Sequence, residues 1–408
     1  MSEYLFLPSW PLEFSQLALF GALIALGLLA GEAVRRYFAL PRITGYVLAG
    51  VLLGPEATGL LDSNALYDLR LIVDLSIGLV VFELGFRLNF DWLRRNRWLF
   101  ATAIAESVLC FWAIYGALIY FDFRPLLAAT AAAIGAATSP PVVMLVAQEL
   151  RAEGQITERM LLFTTVNTVF AFVMLTLLLP FRQIERAAEW QPALLYPIYV
   201  LAGSALAGYV ACGVLLALAA WIGKREGRQL VLLIAMVVMT IGVAHSLKLS
   251  VPLALVTFGM LARNLDRKHV LLPVRLGEVG QLFFVILFVI TGASLEFRAL
   301  GIAAAGAVAA FLVLRFLGKA LALLIFGRLS GIRPGGAGLL AIALLPMSGL
   351  AVVMVRDTVS LYPSFGRELA AVVLSAVVVL ELLGPLATQF ALRRAATIAC
   401  HAAPPTCR

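Results

Sequence analysis

The chain has 408 residues and a net charge of +8, with 62% hydrophobic and only 13% charged residues. Soluble domains carry roughly 25% charged residues, so this composition excludes a water-soluble enzyme. The basic residues lie in short loops between apolar runs, which argues against a nucleic-acid surface despite the positive charge.

Each apolar run approaches the ~20 residues that cross ~30 Å of hydrocarbon as a helix, so the expected fold is an all-α polytopic membrane protein. In chain order, thirteen spans are expected at 12–33, 43–60, 69–86, 99–120, 126–146, 160–180, 194–222, 230–247, 251–261, 276–293, 300–326, 338–355 and 369–390. The first follows no basic stretch and precedes no small-residue cleavage site, so it reads as a retained helix. No linker interrupts residues 12–394, which form one transmembrane domain, and residues 395–408 read as a short cytoplasmic tail without a fold of its own. Of the 31 Lys and Arg, 21 follow odd-numbered spans, 8 follow even-numbered ones, and Arg315 and Lys319 lie inside a span. That bias puts the N-terminus outside and the C-terminus in the cytoplasm. Cys110 and Cys212 fall within spans and Cys400 and Cys407 in the tail. None has metal-ligand spacing with His245, His269 or His401, and no cofactor is implied.

Three features recur at nearly one spacing. Residues 82–90 read FELGFRLNF and residues 289–297 read VITGASLEF, with Gly85 and Gly292 in register. Gly50 in span two matches Gly259 in span nine. Pro140 and Pro141 interrupt span five as Pro346 and Gly349 interrupt span twelve. Each match is seven spans apart, and an odd offset inverts the second copy in the membrane. Inverted repeats that each contain one interrupted helix point to a secondary transporter, because freed backbone groups within a bilayer must face protein or water.

Charged residues inside spans are costly and usually face a cavity. The candidates are Asp74 and Glu83 in span three, Glu106 in span four, Arg315 and Lys319 in span eleven, and Glu381 in span thirteen. Asp74 and Glu83 fall on roughly opposite faces of their helix, whereas Arg315 and Lys319 share one. Lys319 in a bundle interior would either pair with a carboxylate or lose its proton. His245 reads as an interfacial histidine. Asn167 and Thr168 lie mid-span in the helix after the first break, where they would brace the break or contact an ion.

The stretch PRITGYVLAGVLLGP at 41–55 resembles the second-helix signature of the monovalent cation:proton antiporters of the second type, which include Kef-type efflux systems and sodium/proton exchangers. AIGAATSPPVV at 133–143 and LELLGPLATQFALRR at 380–394 resemble that family's unwound crossing helix and last helix. The resemblance implies an inverted-repeat fold with two broken crossing helices, a homodimer, and exchange of Na⁺ or K⁺ for protons by alternating access. It also implies a bacterial inner (cytoplasmic) membrane. The family's ion-binding aspartate falls at Thr168, which has no titratable charge near neutral pH. Asn167, Thr168, Thr138 and Ser139 would then offer oxygen ligands. Glu106, or else Glu83 or Asp74, would supply the missing charge, and Lys319 would match the family's core lysine. No strand-linked glycine-rich turn suggests a nucleotide-binding regulatory domain. Two other readings stay open: an antiporter fold that has lost exchange and serves as a channel, sensor or scaffold, or a transporter of another solute, such as an organic anion drawn to Arg315 and Lys319.

Overall fold

The structure, a computed structural model, describes residues 16–61, 66, 69–180, 190–266, 270–271, 277–295, 305–347, 349–361 and 363–402. Among these, the regular elements are helices. The first half contains α1 (Gln16–Phe38), α2 (Arg42–Leu53), α3 (Arg70–Phe86), the short α4 (Phe90–Arg95), α5 (Arg97–Tyr120), α6 (Pro125–Ala136), α7 (Pro140–Glu149) and α8 (Gln155–Leu178). The second half contains α9 (Trp190–Ile222), α10 (Glu226–Ser246), α11 (Val251–Leu265), α12 (Gly277–Ala293), α13 (Ala305–Phe326), α14 (Pro334–Ala343), α15 (Gly349–Leu361) and α16 (Pro363–Ala402). Eight helical stretches are long and apolar enough to cross a membrane, consistent with an integral membrane protein.

Spans five and twelve are each two half-helices, α6/α7 and α14/α15, broken where the prolines fall. Pro140 opens α7, where its missing N–H costs nothing. The final helix outruns its expected end: it continues through residues 395–402, so most of the expected tail is helical. Arg182, Arg186, Arg267, Lys268, His269, Arg275, Arg298, Cys407 and Arg408 lie outside the described residues, as do the last two residues of the 289–297 segment.

The inverted repeat is visible as a pair of backbone crossings. A Cβ at Gly50 on α2 would lie 2.0 Å from the Val289 carbonyl oxygen on α12, and one at Gly292 would lie 2.3 Å from the Val47 oxygen. In the equivalent crossing, a Cβ at Gly259 on α11 would lie 2.1 Å from the Phe82 oxygen on α3, and one at Gly85 would lie 2.4 Å from the Val256 oxygen. The glycines matched by spacing thus carry equivalent contacts. Their lack of a side chain lets two helices touch backbone to backbone, as small residues do in membrane packing. The broken span Pro125–Glu149 is enclosed along its most apolar stretch by other helices.

Candidate functional site

The two breaks cross and bond to each other. After α6 the chain is extended at Ala137, with φ −60° and ψ 145°, and at Ser139, with φ −73° and ψ 108°. The Ser139 amide donates to the Pro346 carbonyl at 2.9 Å. The Thr138 hydroxyl donates to the Leu344 carbonyl at 3.2 Å. The half-helices α6 and α14 therefore aim their C-terminal carbonyls, which carry partial negative charge, at one place.

Arg315 on α13 fills that place. Its Nε donates to the Gly135 carbonyl at 2.7 Å, Nη1 to Leu345 at 2.7 Å, and Nη2 to Ala137 at 2.8 Å and Pro346 at 3.4 Å. The side chain is fully buried. A planar fork of donors suits this task, since one group satisfies carbonyls from both broken helices.

One turn along α13, Lys319 faces the other side of the crossing. Its Nζ lies 2.6 Å from Glu106 Oε1 on α5, and both side chains are 0% exposed. Nζ also donates to the Ala136 carbonyl at 3.1 Å and to Thr138 Oγ1 at 3.3 Å. Asn167 on α8 completes the cluster. Its Nδ2 donates to Thr138 Oγ1 at 3.1 Å and reaches Glu106 Oε1 at 3.4 Å, while its Oδ1 accepts from Ser107 at 2.7 Å. Thr168 spends its hydroxyl proton on the Thr164 carbonyl at 2.8 Å, leaving its oxygen lone pairs as acceptors. Glu106 Oε2 has no hydrogen-bond partner among the described residues. The cluster therefore joins one carboxylate, one ammonium, one amide and two threonine hydroxyls, all buried, at the meeting point of four half-helices.

The sequence candidates separate. Glu106, Lys319, Thr138, Asn167 and Thr168 come together, with Ser139, Pro140, Pro141, Pro346 and Gly349 forming the breaks beside them. Glu83 does not join them: it is buried against Arg87, whose Nη2 donates to Glu83 Oε1 at 2.9 Å. Asp74 instead lines a cavity of about 470 Å³ with His245, Lys248 and Asp357. Ser107 escaped sequence reading. The available signal was the polar ridge on α5, where Thr102, Glu106 and Cys110 recur at four-residue steps with Ser107 adjacent. Among the described residues no His, Cys, Asp or Glu cluster could hold a metal ion.

A family model described as sodium/hydrogen exchanger, transmembrane, matches residues 20–394. The fold resembles a structure of the sodium proton antiporter MjNhaP1 from Methanocaldococcus jannaschii at pH 8, with TM-score 0.66 and 14% identity over 94% of this chain and 96% of that one. A structure of the same antiporter from an electron-microscopy map aligns with TM-score 0.65 and 15% identity over 94% of this chain and 96% of that one. At such identities the likeness speaks for the fold. No curated protein sequence matches the chain.

Proposed function

This chain belongs to the sodium/hydrogen exchanger family, and we propose that it exchanges a monovalent cation, Na⁺ or K⁺, for protons by alternating access. The observation that carries this reading is the buried Glu106–Lys319 pair at the crossing of the two broken helices. Glu106 stands in for the carboxylate that Thr168 cannot supply, approaching the same crossing from α5 instead of α8.

In the structure Lys319 occupies one oxygen of Glu106, and the other is open. A dehydrated cation entering the crossing gains Glu106 Oε2, with Thr138, Thr168 and Asn167 oxygens as neutral ligands of the hard type that alkali ions prefer. It competes with the ammonium for one negative charge. An ammonium left without its counter-charge in a low-dielectric core gives up its proton readily. Cation binding and proton release are thus coupled through one carboxylate, and the reverse exchange reloads Lys319 on the other side.

The same pair weighs against a fold emptied of exchange. Replacing a buried ion pair with apolar side chains is often neutral or stabilising, so a scaffold has no physical need to keep it. Arg315 is engaged by four backbone carbonyls, which weighs against an anion site there.

The finer assignments belong to this reading: membership of the second antiporter type, a homodimer in a bacterial inner membrane, the N-terminus outside and the C-terminus in the cytoplasm. The 41–55 signature supports the type and the 21-to-8 loop bias supports the orientation. Proteoliposomes loaded with a pH dye test the exchange. Imposed Na⁺, K⁺ or Li⁺ gradients should change internal pH for at least one ion. If all three leave it unchanged in a folded protein, antiport is refuted.

A further inference from the structure

Glu381 is left over by this mechanism. It sits twelve residues from both Leu369 and Arg393 on α16, about 18 Å from either, hence near the middle of the apolar run between them. It is 0% exposed, and neither carboxylate oxygen has a hydrogen-bond partner among the described residues.

Its surroundings are specific. Glu381, Gly384 and Thr388 share one helix face. A Cβ at Gly384 would lie 2.8 Å from Pro346 Cα, and the Thr388 hydroxyl donates to the Ala343 carbonyl at 3.1 Å. That face therefore meets the break between α14 and α15. Pro385, within the helix, removes the donor that would pair the Glu381 backbone carbonyl.

The charged groups on the packed elements are placed elsewhere. Arg315 is held by carbonyls, and Lys319 by Glu106. Arg42 on α2 and Glu149 on α7 associate with each other. Arg356 and Asp357 on α15 are exposed, and Glu158 and Arg159 lie near the N-terminal end of α8. Helices α6 and α14 carry no charge. On α16 itself, Arg367, Glu368, Arg393 and Arg394 lie toward its ends. Among the described residues an ionised Glu381 would find neither donor nor counter-ion, and burying such a charge is costly.

We propose that Glu381 is a second proton-carrying carboxyl of the transport core, protonated in the state described and releasing that proton to water when the core moves and the helix break opens. The step is –COOH to –COO⁻ plus H⁺, reversed on the opposite side. It rests on the exchange reading above and adds one proton per cycle to the one exchanged at Lys319, which makes transport electrogenic.

Proteoliposome measurements of proton flux against cation flux test it, with net current recorded on supported membranes. In Glu381→Gln, cation flux should persist with one proton fewer per cation and the current should vanish. Glu381→Asp should keep the wild-type ratio. An unchanged ratio and current in Glu381→Gln, in a wild type that exchanges, overturns the proposal and leaves a structural carboxyl. A wild type without exchange refutes the antiport reading first, and infrared spectroscopy then decides the present one. A protonated-carboxyl band that persists in Glu106→Gln and responds to cation or pH supports it. An absent or unresponsive band overturns it, including where Glu381→Gln fails to fold.

Discussion

Glu106→Gln, combined with Lys319→Met, separates what the buried pair does for folding from what it does for transport. In the single variant Glu106→Gln, Lys319 keeps three acceptors, the introduced amide oxygen, the Ala136 carbonyl and Thr138 Oγ1, but loses the counter-charge that lay 2.6 Å away. Removing one partner of a buried pair costs about 3–5 kcal/mol, because the surviving charge is left uncompensated. The neutral acceptors that remain put this variant near the lower end, about 3 kcal/mol. Lys319→Met strands the Glu106 carboxylate with only the weak Asn167 contact at 3.4 Å, so its cost should reach the upper end, about 5 kcal/mol. The double variant removes both charges and should return to within about 1 kcal/mol of wild type. Reversible unfolding in mixed micelles measures the cycle, and the two single losses should far exceed the double one. Transport behaves in the opposite way: each single variant and the double should lose cation-driven proton flux. If the double variant is as unstable as the sum of the singles, the two groups do not act as a pair. If Glu106→Gln exchanges at the wild-type rate, Glu106 is not the coupling carboxylate.

Thr168→Asp should lower proteoliposome exchange, because it adds a second carboxylate to a site whose one ammonium is already matched by Glu106; an increase would mean that Glu106 does not hold the coupling role. Arg315→Met should destabilise the fold by at least about 3 kcal/mol, since it strips donors from carbonyls of both breaks at about 1–3 kcal/mol for each one left unsatisfied; loss of folded yield on size-exclusion chromatography checks it, and Arg315→Lys should recover only part. Gly50→Ala and Gly259→Ala should each lower thermal stability, because their new Cβ atoms would sit 2.0 and 2.1 Å from backbone oxygens that cannot move aside. Gly116→Ala, with nothing within 4 Å, should be neutral or slightly stabilising, and equal melting temperatures for all three would remove the glycine crossings as a packing principle.

The architecture was legible because it is written in local chemistry. Hydrocarbon forces long apolar runs, the prolines at matching points of spans five and twelve break those helices, and the glycines that recur at one spacing mark backbone crossings. Gly50, Gly85, Gly259 and Gly292 could therefore be paired by spacing alone, and the structure gives each matched pair equivalent contacts. The final helix runs past its expected end because charges at Arg393 and Arg394 end a hydrophobic run without ending a helix. The pairings across the fold were not legible. Glu106 and Lys319 lie 213 positions apart, and no periodicity connects a carboxylate on one helix to an ammonium in the other repeat. Asp74 and Glu83, like Glu106, are charges inside spans, and sequence alone ranks them only behind it; in the fold one lines a separate cavity and the other is held by its own helix neighbour Arg87.

The missing aspartate shows how far position-by-position reading goes. Judged by its place in the chain, Thr168 deletes the titratable centre of an exchanger. Judged by space, the crossing still holds a buried carboxylate opposed by a buried ammonium, delivered by α5. What coupling requires is one negative charge for which a cation and a protonated amine compete, at a point that neither side of the membrane sees continuously. The helix that contributes the charge is secondary. The backbone carbonyls that Arg315 and Lys319 engage belong to the breaks, so the geometry of the site is set by the crossing itself. On the reading proposed above, the carboxylate reaches the crossing from α5 in place of α8, while Asn167 ties α8 to Thr138 and to Ser107 beside it.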